Sequence, residues 1–149
     1  MKAKRSRRGK KYFTVAEANA ALPLVRAIVK DIAQVAPELR DRQERLDRIA
    51  PPDAPQVGAA HQEEVEELRA QVERDLERMC EFVEELNKLG VELKDAFTGL
   101  LDFPCRMNDR EVYLCWRLGE SEVGHWHELQ AGYAGRQKIT KAETKPQGV

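Results

Sequence analysis

The sequence predicts an α+β fold, a long antiparallel helical hairpin followed by a small C-terminal antiparallel β-meander. Three observations predict it. Two apolar seams with alternating three- and four-residue steps occupy residues 24–89. A proline-rich stretch, Ala50 to Gly58, separates them. After Gly90 the period shortens toward two, as strands require.

The chain has 149 residues, about one domain. Residues 1–11 carry seven Lys/Arg and no acid; without them, the chain's 25 Lys/Arg fall to 18 against 26 Asp/Glu, a net of −8. A basic arm therefore precedes an acidic body. Like-charge blocks are mostly disordered, so the arm reads as a solubilising tail ahead of a single domain over 12–140. Contact with phosphates is the lesser reading, because Tyr12 is its one aromatic neighbour. The polar residues 141–149 read as a frayed tail. No apolar run approaches a membrane span, and three cysteines without CxxC spacing fit a reducing cytoplasm rather than a disulfide framework.

Thr14 to Glu17 has capping-box spacing, so a helix begins near Val15. Pro23 predicts a break or kink, with a restart beyond it. From Val25 one seam runs through Ile28, Ile32, Val35, Leu39, Leu46 and Ile49, with Arg42 in place of a hydrophobe. The second helix, Ala60 to Leu89, carries Val65, Leu68, Val72, Leu76, Met79, Val83 and Leu86, and Gly90 is its C-terminal cap. Folding back about the prolines pairs Ile28 with Val83, Ile32 with Met79, Val35 with Leu76, Leu39 with Val72 and Leu46 with Val65. Such a hairpin is roughly 40 Å long at 1.5 Å per residue. A narrow seam leaves Val29, Phe82 and Leu89 in need of cover by the sheet, the first helix or a second subunit.

Leu100 to Met107, a turn at Asn108-Asp109-Arg110, and Glu111 to Leu118 read as a β-hairpin. A second turn at Gly119 to Glu122 leads to a strand over Val123 to Leu129, so the meander covers about 99–129. Pro104 suits an edge strand. Trp116 and Trp126 suit a plug between sheet and helices. The runs Gly99-Leu-Leu-Asp-Phe-Pro104, Val112-Tyr-Leu-Cys-Trp-Arg-Leu-Gly-Glu120, Trp126-His127 and Gly135-Arg-Gln137 resemble an uncharacterised bacterial family, domain of unknown function 2203, as does Phe13-Thr14 to Asn19. The resemblance covers most of the chain beyond the arm and implies no established activity. The family pattern includes Trp126-His127 but not His125 or Cys105.

Two constellations carry chemistry. His125-x-His127 has strand spacing that points both imidazoles one way, toward Zn²⁺ or Fe²⁺, with Glu120, Glu128 or Cys115 as a third ligand. The second is a polar set of Cys115, Arg117, Glu120 and His127, with Asp102 and Arg136, from the flanking runs, as further candidates. A turn at Gly119 predicts that Arg117 and His127 approach on adjacent strands, Glu120 at the rim. The blander alternatives are a structural ion pair and a cysteine packed as a small hydrophobe. No phosphate loop, HExxH or nucleophile elbow occurs. The leading expectation is a non-enzymatic interaction or scaffold module, a homo-oligomer or partner-bound protein, because so much chain is spent on a hairpin. The alternative is a small metal- or ligand-binding protein, or an enzyme, using the sheet's polar residues. Nucleic-acid association through the arm ranks last.

Overall fold

The computed structural model describes residues 11–53 and 58–140; the basic arm up to residue 10 and the tail from 141 lie outside the described residues. Helix α1 spans Val15–Ile49 and α2 spans Ala59–Leu89. Five strands follow: β1 Glu92–Asp95, β2 Leu100–Met107, β3 Arg110–Arg117, β4 His125–Glu128 and β5 Gln137–Lys138. They form one antiparallel meander in sequence order. No helix among the described residues is long and apolar enough to cross a membrane.

The capping box at the start of α1 is complete. Glu17 N–H donates to Thr14 Oγ1 at 3.0 Å, and Thr14 N–H donates to Glu17 Oε1 at 3.0 Å. The expected break at Pro23 does not occur; α1 is continuous through both Pro23 and Pro37. Pro23 itself is exposed, so its ring displaces no core side chain. Ala18 and Leu22 before it, and Val25, Ile28 and Val29 after it, are all buried. Their burial offsets the roughly 3 kcal/mol that an interior proline costs a helix. Gly90 closes α2 in the left-handed region, φ 89°.

The hairpin core divides in two. Leu46, Val65, Leu68 and Val72 form a cluster toward the tip, bordered by Leu39. Ile28 and Ile32, with Met79 and Val83, belong to the larger core under the sheet. Four of the five expected facing pairs therefore share a cluster. Leu76 departs from the expected seam: it is 47% exposed, and Asp75 is buried instead. Adjacent helix residues lie about 100° apart, so only one of the two can face α1. Arg42 decides which, donating to Asp75 Oδ2 at 2.5 Å.

The sheet's inner face covers the base of the hairpin. Leu101, Phe103, Cys105 and Met107 of β2, Val112, Leu114 and Trp116 of β3, and Trp126 of β4 all join the main core. Val29 is fully buried in that core, and Phe82 and Leu89 are partly buried against it. The β2–β3 turn is Asn108-Asp109, with φ 54° and 63°, the two-residue form that matches strand twist. Two strands escaped the pattern reading, β1 and β5, one short and charged and the other two residues long. Pro104 stands beyond the last residue β1 pairs with, Asp102. On that open stretch its carbonyl accepts from Phe13 N–H at 2.7 Å, and its missing amide costs no ladder bond.

Candidate functional site

Strand alternation sends the residues between the core positions to the opposite face, where a solvated surface is the ordinary outcome. Here the chain from Leu129 to Arg136 folds back beside that face, and part of the face is dry. Asp102 and Cys115 are cross-strand partners on β2 and β3, and His127 sits opposite Tyr113 on β4. Asp102, Cys115 and His127 are 3%, 0% and 2% exposed, and one ligand atom from each lies within 4.8 Å of the others.

His127 is held at both ring nitrogens. Nδ1 lies 2.7 Å from the Glu128 carbonyl, and Nε2 lies 3.0 Å from Asp102 Oδ1. A carbonyl only accepts, so Nδ1 carries a hydrogen. Nε2 then meets a carboxylate, also an acceptor when ionised. One proton must lie between them, on the imidazole or on the carboxyl. Burial raises the Asp102 pKa, against the lowering effect of the His127 contact. Burial likewise pushes the Cys115 thiol up to about 11, so it is protonated at neutral pH.

A second cluster adjoins the first. Arg136 Nη2 pairs with Glu120 Oε2 and donates to His125 Nδ1 at 2.9 Å, and Nη1 donates to Cys115 Sγ at 3.7 Å. Burial alone would raise the Glu120 pKa, but the Arg136 bond and the Arg117 amide hold it below the usual range. Burial and the charge of Arg136 lower the His125 pKa. Since Nδ1 accepts from a guanidinium, neutral His125 carries its hydrogen on Nε2.

The expected polar set is thus partly assembled. Asp102, Cys115 and His127 meet, and Glu120 joins Arg136 and His125. Arg117 does not take the place expected beside His127. Its guanidinium turns outward to the Tyr133 hydroxyl, 3.4 Å away, and its backbone N–H serves Glu120. His125 and His127 share a face, as the spacing required, yet a guanidinium stands against His125. Glu128, a suggested third ligand, pairs with Arg110 at 2.6 Å.

A cleft of about 250 Å³ opens over the first cluster, with Asp102 and His127 at its floor and Lys94, Tyr113, Gln130 and Tyr133 among its walls. The Tyr113 hydroxyl donates to Glu92 at 3.1 Å, and Lys94 bridges to the same carboxylate at 2.9 Å. Lys94 was missed because β1 was missed. Tyr113 had a signal, since it alternates with Cys115 along β3.

No curated protein and no solved structure matches the chain. Residues 11–139 match the family described as an uncharacterized conserved protein, DUF2203, and the chain belongs to that family.

Proposed function

We propose that this protein binds a small polar molecule on the outer face of its sheet, with the Asp102–His127 pair as the proton-exchanging floor of the site. The observation that carries the reading is burial of a carboxyl, an imidazole and a thiol together beneath a cleft of about 250 Å³. Buried titratable groups converging on a cleft mark binding and catalytic sites far more often than open surface does. A ligand hydroxyl, amide or carboxyl would exchange hydrogen bonds with the dyad, while Lys94 and Tyr133 meet it at the walls. The free cysteines support a reducing compartment, the cytoplasm.

The test is a fragment screen by ligand-observed NMR, using small alcohols, amides and carboxylates, on the wild type and on Asp102→Asn. An asparagine amide can donate to His127 Nε2, so this variant keeps the fold while removing the exchangeable proton. Fragments should bind the wild type and lose about 10-fold or more in affinity for Asp102→Asn, the loss of one charged hydrogen bond. Equal binding to both proteins contradicts the reading.

The scaffold reading, as a self-associating module, retains one observation in its favour. An apolar groove of about 450 Å³ runs between hairpin and β1, lined by Leu39, Leu76, Met79, Val83, Leu93 and Phe97. Leu76 and Phe97 are about half exposed there. Sedimentation at micromolar concentration tests it, and a monomer that does not change with concentration refutes self-association.

A further inference from the structure

Three neighbouring strands each contribute one metal-ligating side chain to a single buried point, Asp102 from β2, Cys115 from β3 and His127 from β4. The imidazole is already set as a ligand. Its Nδ1 hydrogen is committed to the Glu128 carbonyl, which aims the Nε2 lone pair at Asp102. Metal-bound histidines are ordinarily oriented in this way, the far nitrogen donating to a carbonyl or carboxylate. Facing that lone pair is a carboxylate oxygen at 3.0 Å, and two acceptors at that distance require a positive particle between them. A proton satisfies the pair; a metal ion satisfies the pair and the thiol together.

Resting on the reading of this face as the ligand site, we infer that Asp102, Cys115 and His127 hold a Zn²⁺-class divalent ion, whose remaining coordination position opens on the cleft. Imidazole with thiolate selects borderline-soft ions over Mg²⁺ or Ca²⁺. Charge agrees with burial: one carboxylate and one thiolate cancel a dication, so the filled site is neutral. Binding releases two protons to solvent, one from the Cys115 thiol and one from the Asp102–His127 pair. Arg136 reaches the sulfur at 3.7 Å, and its own charge is met by Glu120, which makes it an orienting partner of the thiolate. Three protein ligands and an open position are the arrangement of reactive rather than structural zinc sites. His125, with Arg136 against it, stays outside the set.

The experiment is a Co²⁺ titration of the untagged, metal-stripped full chain in a Cys80→Ser background, which removes the exposed thiol. One Co²⁺ should bind per chain, with visible absorption and a near-ultraviolet thiolate-to-cobalt band, and Zn²⁺ should displace it. Cys115→Ser should abolish the thiolate band, and His127→Gln should weaken binding by about 100-fold, as loss of a ligand costs at least what loss of a ligand's partner does. His125→Gln should bind as the parent does. Folded parent protein that takes up no Co²⁺ overturns the assignment, as does a thiolate band that survives Cys115→Ser, or loss of binding in His125→Gln alone. Fragments that still bind the Co²⁺-refusing protein in an Asp102-dependent manner would overturn the metal inference and leave the ligand site standing; loss of both would sink the two together.

Discussion

Replacing Arg42 by alanine should cost this protein more than replacing the residue it pairs with. The Asp75 side chain is 6% exposed and the Arg42 side chain 37%. Arg42→Ala therefore strands a carboxylate in the helix interface, whereas Asp75→Ala frees a long cation to swing into water. Removing one partner of a fully buried pair costs about 3–5 kcal/mol. Because Arg42 is one-third in solvent, the expected loss for Arg42→Ala is smaller, about 2 kcal/mol. That is a fall in thermal midpoint of about 4–8 °C for a chain of this size. Asp75→Ala should lose about 1 kcal/mol. The double change to leucine restores an apolar seam and should be neutral or stabilising. The surface pair Arg45–Glu64, about half exposed on both sides, is the control, and breaking it should cost under about 0.5 kcal/mol. Urea unfolding of all variants at one pH supplies the free energies. If Arg42→Ala loses no more than the control, or less than Asp75→Ala, the pairing with Arg42 is not what turns Asp75 rather than Leu76 into the seam.

Gly99→Ala should destabilise by about 2–4 kcal/mol, from left-handed strain and overpacking together. Gly99 has φ 71°, and a Cβ there would lie 2.6 Å from Leu118 Cβ and 2.8 Å from Val29 Cγ1. A thermal midpoint within a degree of wild type would refute this. Thr14→Ala should cost about 1 kcal/mol in urea unfolding through loss of the capping box, and Glu17→Ala in that background should add little. His125 has a folded pKa below its ordinary 6.5, so the unfolded chain takes up the proton first as pH falls. Its contribution to stability is present above that value and is lost as pH drops through the window beneath it. Wild-type stability relative to His125→Gln should therefore decline as pH falls below the ordinary histidine value of 6.5, and parallel pH profiles would contradict the assigned environment.

The hairpin was legible because a three-four seam has no other economical reading, and Arg42 stood out in it as a cation in place of a hydrophobe. What the seam could not disclose was that the partner is Asp75, since a lone acid in a run of acids carries no periodic signal. The break assigned to Pro23 failed for a different reason. A proline's cost is local, while the packing of Leu22 and Val25 against a sheet some 80 residues distant is not visible in either residue. Strand β1 was hidden because Glu-Leu-Lys-Asp has too few apolar positions to show alternation. At the site, every member of the buried trio was named from the sequence. Their grouping depends on the β2–β3–β4 register, and the register on turn lengths. Arg136 rather than the Arg117 side chain supplies the guanidinium that meets Glu120, because the returning C-terminal segment, read only as a loop, brings it back over β4.

Backbone ¹H–¹⁵N spectra of the wild-type protein, recorded with the fragments bound, locate the ligand site without any mutation. The largest shifts should fall on Lys94, Asp102, Tyr113, His127 and Tyr133, around the dry patch of the sheet's outer face. Shifts confined to the groove at Leu76 and Phe97, with those five residues unmoved, would contradict a ligand site on that face.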